Sequence, residues 1–197
     1  MQRKNLVSLA NLKKHIKPVR VYTELSDGEL ADMAIDDSQA FSVLYDRYFK
    51  RVYYYLLDIV KNSADTEDLT SQTFLSAIAS IGDLRNKEYF GSWLFQIARS
   101  KANDLFRKTN RREEIAIEFI EELDGNQLNS SGFSKEDVLT VRQLVSRLSC
   151  EDAELLRLKF VAELSFIEMS EFTGDSVNKI KKKYYKIIRY LATEMKV

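Results

Sequence analysis

Five lysines fall within eight residues near the C-terminus, at Lys179, Lys181, Lys182, Lys183 and Lys186. The apolar residues among and after them, Val177, Ile180, Tyr184, Ile187, Ile188 and Leu191, recur at three and four positions. That spacing describes a helix with one buried side, and it leaves Asn178, Tyr185 and the lysines on the remaining surface. Like charge near a helix N-terminus opposes the helix dipole and costs about 0.3 kcal/mol or more per residue. An external anion would offset that cost, and phosphate is the obvious one. A shorter apolar segment, Ile167, Met169 and Phe172, precedes the lysines, with Ser165 as its N-cap and Gly174 as a turn. Short helix, glycine turn and longer helix form the helix-turn-helix pattern, in which the second helix enters a DNA groove. Asp175 or Ser176 would cap that second helix. The plain alternative, a solvated lysine face, leaves the preceding helix and turn without a purpose.

A second cluster mixes cations with aromatics. Tyr89, Phe90, Trp93 and Phe106 alternate with Arg85, Lys87, Arg99, Lys101, Arg107, Lys108, Arg111 and Arg112. Aromatic faces stack on unpaired bases while cations hold the phosphates, so this composition suits single-stranded nucleic acid. Phe90 and Phe106 read first as core residues, and Trp93 fits either role. The third cluster is acidic. In DTEDLTSQTFL, Asp65 is the expected N-cap and Glu67 and Asp68 occupy the first turn, where the dipole favours carboxylates. Capping does not account for a whole polar face of Glu67, Asp68, Ser71 and Gln72, which points to a protein partner with a basic surface.

Other chemistries lack parts. A single cysteine, Cys150, cannot form an internal disulfide, and the one histidine is His15. The usual His/Cys metal clusters and His-based triads are therefore excluded, and no catalytic residue, metal or cofactor is expected. A helical carboxylate-metal enzyme would need Glu-x-x-His pairs, whereas His15 stands in a basic N-terminal stretch.

These clusters must be positioned by helices. The chain has 197 residues, 45% of them hydrophobic, with six Gly and one Pro. Such a composition suits long helices better than sheets with many tight turns. The expected order begins with a short helix around Ser26 to Ile35. A long helix follows from Asp36 to Val60, burying Phe41, Leu44, Tyr45, Tyr48, Val52, Tyr55, Leu56 and Ile59 and exposing Asp46, Arg47, Lys50, Arg51 and Asp58. The next helix runs from Asp65 to about Ile81 and buries Leu69, Phe74, Ala77, Ile78 and Ile81. A third long helix contains Phe90, Trp93, Leu94, Ile97, Ala98, Leu105 and Phe106. Residues 113–134, with six acids and an Asn/Ser run, read as a linker. Beyond it, Val138, Val141, Leu144, Val145 and Leu148 line one helix face, and Ser149 caps a helix that includes Leu155, Leu156, Leu158, Lys159 and Phe160.

Thirty basic and thirty acidic residues cancel overall but not locally. Net charge is +5 over residues 1–24, −7 over 25–84, +6 over 85–112, −6 over 113–134, −4 over 135–175 and +6 over 176–197. The reading is all-α: a basic extension (1–24), a helical domain (25–112), an acidic flexible linker (113–134) and a second helical domain with the helix-turn-helix (135–197). The N-terminal residues contain no apolar run of signal-peptide length, and no stretch of about 18 apolar residues occurs anywhere. A cytoplasmic protein without stable membrane insertion is expected.

At these residues the sequence resembles the ECF (extracytoplasmic-function) group of bacterial RNA polymerase sigma factors. The motifs run in that family's order: AFSVLYDRYFKRVYYYL, DTEDLTSQTFLSA, WLFQIARSKANDLFRK, the acidic linker, LSCEDAELLRLKFVAELSFIEMSEFTG and SVNKIKKKYYKIIRYL. The resemblance covers about Ser26 to Leu191. It implies a promoter-specificity subunit without catalytic activity. Its first domain would dock on core polymerase through Asp65, Glu67, Asp68, Leu69 and Gln72. The minus-ten element would be held by Leu84, Arg85, Asn86, Lys87, Trp93, Ser100, Lys101, Asn103, Arg107 and Lys108. The minus-thirty-five element would be read by Ser176, Asn178, Lys179, Lys181, Lys182, Lys183, Tyr185 and Lys186. The linker would thread through the polymerase, and an anti-sigma factor is the further partner the resemblance implies.

The sequence also departs from the family pattern. Ser100 stands where Asn is usual and Leu84 where Phe is frequent, so the minus-ten preference does not carry over. Lys179-Ile180-Lys181-Lys182-Lys183 replaces a usual Thr-Val-Lys-Ser-Arg, and Ile187 a usual Ala. Lysines lack the bidentate fit of arginine to guanine, so binding is expected to be phosphate-driven and salt-sensitive. Lys13, Lys14, Lys17 and Arg20 in the extension suit either extra DNA contact or a disordered tail. A free-standing helix-turn-helix regulator is the competing reading, and it leaves the acidic face and the aromatic/basic helix unexplained.

Overall fold

The computed structural model describes residues 22–109 and 135–195, with side chains of 135–138 left aside. The 113–134 linker, most of the basic extension, Arg111 and Arg112 lie outside the described residues, as does the side chain of Val138. Among these residues the elements are helical. They run α1 (Asp27–Met33), α2 (Ser38–Val60), α3 (Ser63–Ser80), two 3-10 turns (Ile81–Asp83 and Lys87–Tyr89) and α4 (Phe90–Thr109). After the gap come α5 (Lys135–Ser146), α6 (Cys150–Leu156), a π turn (Arg157–Val161), α7 (Phe166–Thr173) and α8 (Val177–Glu194).

Local caps set most boundaries. Ser26 and Glu29 form a reciprocal capping box that starts α1, and Ser165 and Glu168 do the same for α7. Asp37 caps α2 by accepting from the Gln39 amide at 3.0 Å. Asn62, not Asp65, caps α3: its Oδ1 accepts from the Asp65 amide at 2.9 Å, so the helix starts three residues earlier than an Asp65 cap implies. Gly174 ends α7 at φ 75°, a left-handed position that favours glycine.

Helices α1 to α4 pack around α2. Tyr48 and Arg47 on α2 both reach Asp27 at 2.5 Å, stapling α1 across the bundle. Aromatic edges fill the centre, with Tyr48 against Phe90 at 5.3 Å and Tyr55 against Phe95 at 5.1 Å. Thr66, Thr70 and Thr73 are buried on α3. The Thr66 and Thr73 hydroxyls donate to carbonyls one turn back, which satisfies them without water.

The second helical unit does not stand apart. Helix α7 packs on α4, and the π turn packs on α2, so one hydrophobic cluster runs from Tyr55 and Phe95 to Leu158, Ala162, Leu164 and Met169. In the π turn the Ala162 amide reaches back five residues to the Arg157 carbonyl at 2.9 Å. Leu155, Leu156, Arg157 and Leu158 are four consecutive buried residues, as expected of a segment enclosed on every side. This packing corrects the expected outer face of α2, since Asp58 is 1% exposed and Arg51 half-buried, while Arg47 is half-buried through its bonds to Asp27 and the Leu25 carbonyl in the first unit. Two further expectations fail at the bundle's rim. Tyr45 is 38% and Ile78 47% exposed, because nothing in the described structure covers those edges of α2 and α3.

Candidate nucleic-acid interface

The lysine helix α8 is held by its own apolar face, with Ile180 and Ile187 buried and Tyr184 against Phe166 at 5.3 Å. Ser176 caps it, its hydroxyl accepting from the Lys179 amide. Two of the five lysines find carboxylates within the chain. Lys179 Nζ donates to Asp175 at 2.7 Å. Lys183 Nζ donates to Glu151 at 2.7 Å and lies 3.4 Å from Asp152. Burial alone would lower the Lys183 pKa, but those two carboxylates outweigh it and raise it. In return, the hydrogen bond from Lys183 holds Glu151 below the usual carboxylate range. The expectation of a wholly external counter-charge is corrected accordingly: Lys183 is committed to α6. Lys181 lies over the Phe166 ring at 5.6 Å. Asn178, Lys182 and Lys186 are exposed, and Tyr185 is 57% exposed beside Phe166. A phenol and three polar heads thus project from the first turns of a rigid helix.

The aromatic/basic segment divides in the same way. Lys87 Nζ donates to the carbonyls of Ile81 and Leu84, both at 2.7 Å, so its charge closes the 3-10 turn rather than facing outward. Leu84 packs against the core, and Asn86 caps the second 3-10 turn through Glu88 N at 3.1 Å. Trp93 is half-buried against Phe90 at 5.8 Å. Along α4, Ser100, Asn103, Arg107 and Lys108 are exposed and Lys101 is half-buried. With Arg85 they leave an outward cationic surface. Arg107 also reaches Asp104 at 2.9 Å, an exposed pair of little energetic weight. Gln96 and Arg99 turn to the second unit instead. The Gln96 side-chain amide donates to the Glu171 and Phe172 carbonyls, and Arg99 lies 3.8 Å from Glu154.

On α3 the acidic face is open. Glu67, Asp68 and Ser71 are exposed, Asp65 is half-buried, and Gln72 donates to Asp68 at 2.7 Å. Leu69 is the exception. At 5% exposure it points into the core and presents no docking surface. Sequence reading missed the continuation of this face, Leu75 at 67% and Ile78 at 47% exposed. The signal was present, since Leu75 lies two turns after Asp68 on the same side. Tyr45 and Phe49 on α2 add exposed aromatics beside Phe74.

Comparison with known proteins agrees with this geometry. The family described as Sigma-70 region 2 matches residues 44–112. The chain is 34% identical over 163 residues to the ECF RNA polymerase sigma factor BldN of Streptomyces coelicolor, covering 79% of this chain and 60% of BldN. It therefore spans less than two thirds of that relative's length. It is 24% identical over 161 residues to the ECF RNA polymerase sigma factor SigW of Bacillus subtilis, covering 76% of this chain and 86% of SigW. The solved structure of CnrH in complex with the cytosolic domain of CnrY shares the fold, with TM-score 0.58 and 22% identity over 85% of this chain and 95% of that one. No described helix is long and apolar enough to cross a membrane.

Proposed function

We propose that this chain is an ECF RNA polymerase sigma factor, one that binds core RNA polymerase and directs initiation at promoters bearing minus-thirty-five and minus-ten elements. The observation that carries this reading is the presence, in one chain, of an open acidic–apolar face on α3 and an exposed lysine/tyrosine surface on α8. A protein that only bound duplex DNA would have no use for the first. Core docking is assigned to Asp65, Glu67, Asp68 and Gln72, with Leu75 and Ile78 extending the contact and Leu69 positioning the helix from beneath. Duplex reading is assigned to Asn178, Lys182, Tyr185 and Lys186. Melted DNA is assigned to Trp93, Ser100, Lys101, Asn103, Arg107 and Lys108, with Arg85 and Asn86 at the loop. The protein acts without chemistry of its own, in the cytoplasm where the polymerase is. An anti-sigma factor is proposed as a third partner, since CnrH was solved with CnrY.

In vitro transcription with purified core polymerase and a library of promoter templates tests the reading. Initiation that depends on the added protein is expected. The reading fails if the protein neither binds core nor directs a transcript from any template. Reversing Glu67 and Asp68 to lysine should weaken co-purification with core about tenfold or more while leaving the helical circular-dichroism spectrum intact.

A further inference from the structure

Residues 82–86 form the tip of the loop from α3 to α4. Gly82, Asp83, Arg85 and Asn86 are exposed, while Leu84 is half-buried and packs against the core. Packing fixes little of this tip, since a methyl added at Gly82 would meet nothing within 4 Å. On the α3 side one backbone bond crosses it, from the Leu84 amide to the Ile81 carbonyl at 3.3 Å. A segment with so few buried contacts opens at low free-energy cost. The element that closes it is a charge. Lys87 Nζ donates to the carbonyls of Ile81 and Leu84, both at 2.7 Å. Ile81 is the C-cap of α3, so the ammonium also sits at the negative end of that helix's dipole. One side chain thus ties the end of α3 to the middle of the loop.

The far end of the loop is anchored separately. Asn86 Oδ1 accepts from the Glu88 amide at 3.1 Å, and the Tyr89 amide donates to the Asn86 carbonyl at 3.2 Å. Helix α1 packs on the turn Lys87–Tyr89 so closely that a methyl added at Gly28 would come within 2.3 Å of Glu88 Oε1. That helix is itself held to α2, through the bonds from Arg47 and Tyr48 to Asp27. With both ends set, the Lys87 bridge decides the path between them.

We propose that Lys87 is a positioning residue for melted DNA: it presets the loop so that Arg85 and Asn86 meet an unstacked base without rearranging, and it contributes shape rather than charge. The inference rests on the function proposed above, which places Arg85 and Asn86 at the melted minus-ten strand. The two carbonyls already give the Lys87 ammonium the acceptors that a phosphate would offer. Its removal therefore acts on the loop, not on the count of phosphate contacts. A loop that must order itself on binding has its apparent Kd raised by the inverse of its competent fraction, so a fraction near one tenth gives about tenfold. That penalty is the same at every salt concentration. Losing a phosphate contact behaves differently, flattening the slope of log K against log salt by about 0.7 per contact on a single strand.

Core polymerase reconstituted with the full chain, titrated across a salt series with a forked template whose minus-ten strand is unpaired, separates shape from charge. Lys87→Met keeps the aliphatic stem and removes the donors. It should raise the apparent Kd about tenfold while the salt slope stays within about 0.2 of the unaltered chain. Arg85→Ala, at the exposed tip, should instead flatten the slope by about 0.7. Affinity for a minus-thirty-five duplex, read by α8, should be the same in Lys87→Met as in the unaltered chain, which a general loss of folding would not allow. Hydrogen exchange on the free chain reads the loop directly. The Leu84 and Glu88 amides should exchange about tenfold faster or more in Lys87→Met, with the amides of central α2 unchanged. If Lys87→Met does not fold, Lys87→Ala carries the same readouts. A slope flattened by about 0.7 in Lys87→Met marks a phosphate contact and overturns the proposal. Unchanged affinity for the forked template, or unchanged exchange at Leu84, overturns it too. Failure of the unaltered chain to bind core or the forked template refutes the sigma-factor reading instead, while the exchange rates still decide whether Lys87 presets the loop.

Discussion

The segments that contain α4 and α8, residues 85–112 and 176–197, each carry a net charge of +6, yet the structure uses them differently. On α4 and the loop before it, cations and amides are drawn inward: Lys87 closes a turn, Gln96 caps a neighbouring helix and Arg99 faces Glu154. Seven buried residues, Leu94, Phe95, Ala98 and Ala102 among them, fix that helix from below. On α8 only Ile180 and Ile187 are fully buried, and most of the lysine row looks outward. A net charge of +6 in each segment therefore does not mean equal availability. What decides is whether carbonyls and carboxylates of neighbouring elements lie within reach of each cation.

The contrast in burial predicts the largest effect. Phe95→Ala should cost about 3–5 kcal/mol of unfolding free energy in denaturant titration, because a fully buried ring against Tyr55 is lost. Ile188→Ala on α8, half-buried at the rim, should cost roughly 1–2 kcal/mol. Equal costs would mean that α8 is as deeply anchored as α4, contrary to its packing. A second pair separates available from committed charge. Lys182→Ala/Lys186→Ala should reduce the slope of log K against log salt for duplex DNA by about 1.8, at roughly 0.9 per phosphate contact. Lys183→Ala should leave that slope nearly unchanged, since its ammonium already faces Glu151 and Asp152. On the other helix, Lys87→Ala should lose about 1 kcal/mol of stability, seen in thermal melts, through its two carbonyl bonds. Arg107→Ala, exposed and paired only with Asp104, should weaken single-stranded DNA binding with no measurable change in melting.

What the sequence disclosed and what it withheld follow from the range of the interactions. Ser149, Ser165, Ser176 and Gly174 were readable because a cap is satisfied within four residues of itself. The apolar row of α8 was readable because 3.6-residue periodicity reports a single buried side. Asp58 and Arg157 were not, because their burial depends on a partner 99 residues away and a charged residue on a periodic helix reads as outward. Buried Thr66 and Thr73 failed for a related reason: a hydroxyl counts as polar in a pattern, although donation to the preceding turn removes its need for water. Ile78 erred the other way, an apolar residue one position past the buried Ala77 and so rotated beyond the edge of the core. On the candidate surfaces the residue types were readable, while the loss of Leu69, Lys87 and Lys183 to internal duties was not.

The smallest effect tests the commitment of Lys183 through pH. Glu151 has its pKa lowered from 4.5, first by the hydrogen bond from Lys183 and then by its charge. A group whose folded pKa is depressed contributes stability above its unfolded pKa and loses it as pH falls through the folded value. The Glu151 contribution is thus complete above about pH 5 and fades on further acidification. Lys183 has the opposite sign: its raised pKa contributes below the unfolded value near 10.5 and fades only at strongly alkaline pH. Between those limits the pair is intact, so stability should be flat with pH there. Glu151 is well exposed, so the acid step should be small and screened by salt. Glu151→Gln should remove it from the pH dependence of melting while leaving the Phe95-centred core unaltered. Were the acid step to persist in Glu151→Gln, Lys183 would be as available for phosphate as Lys182 and Lys186, and the division between committed and outward lysines on α8 would fall.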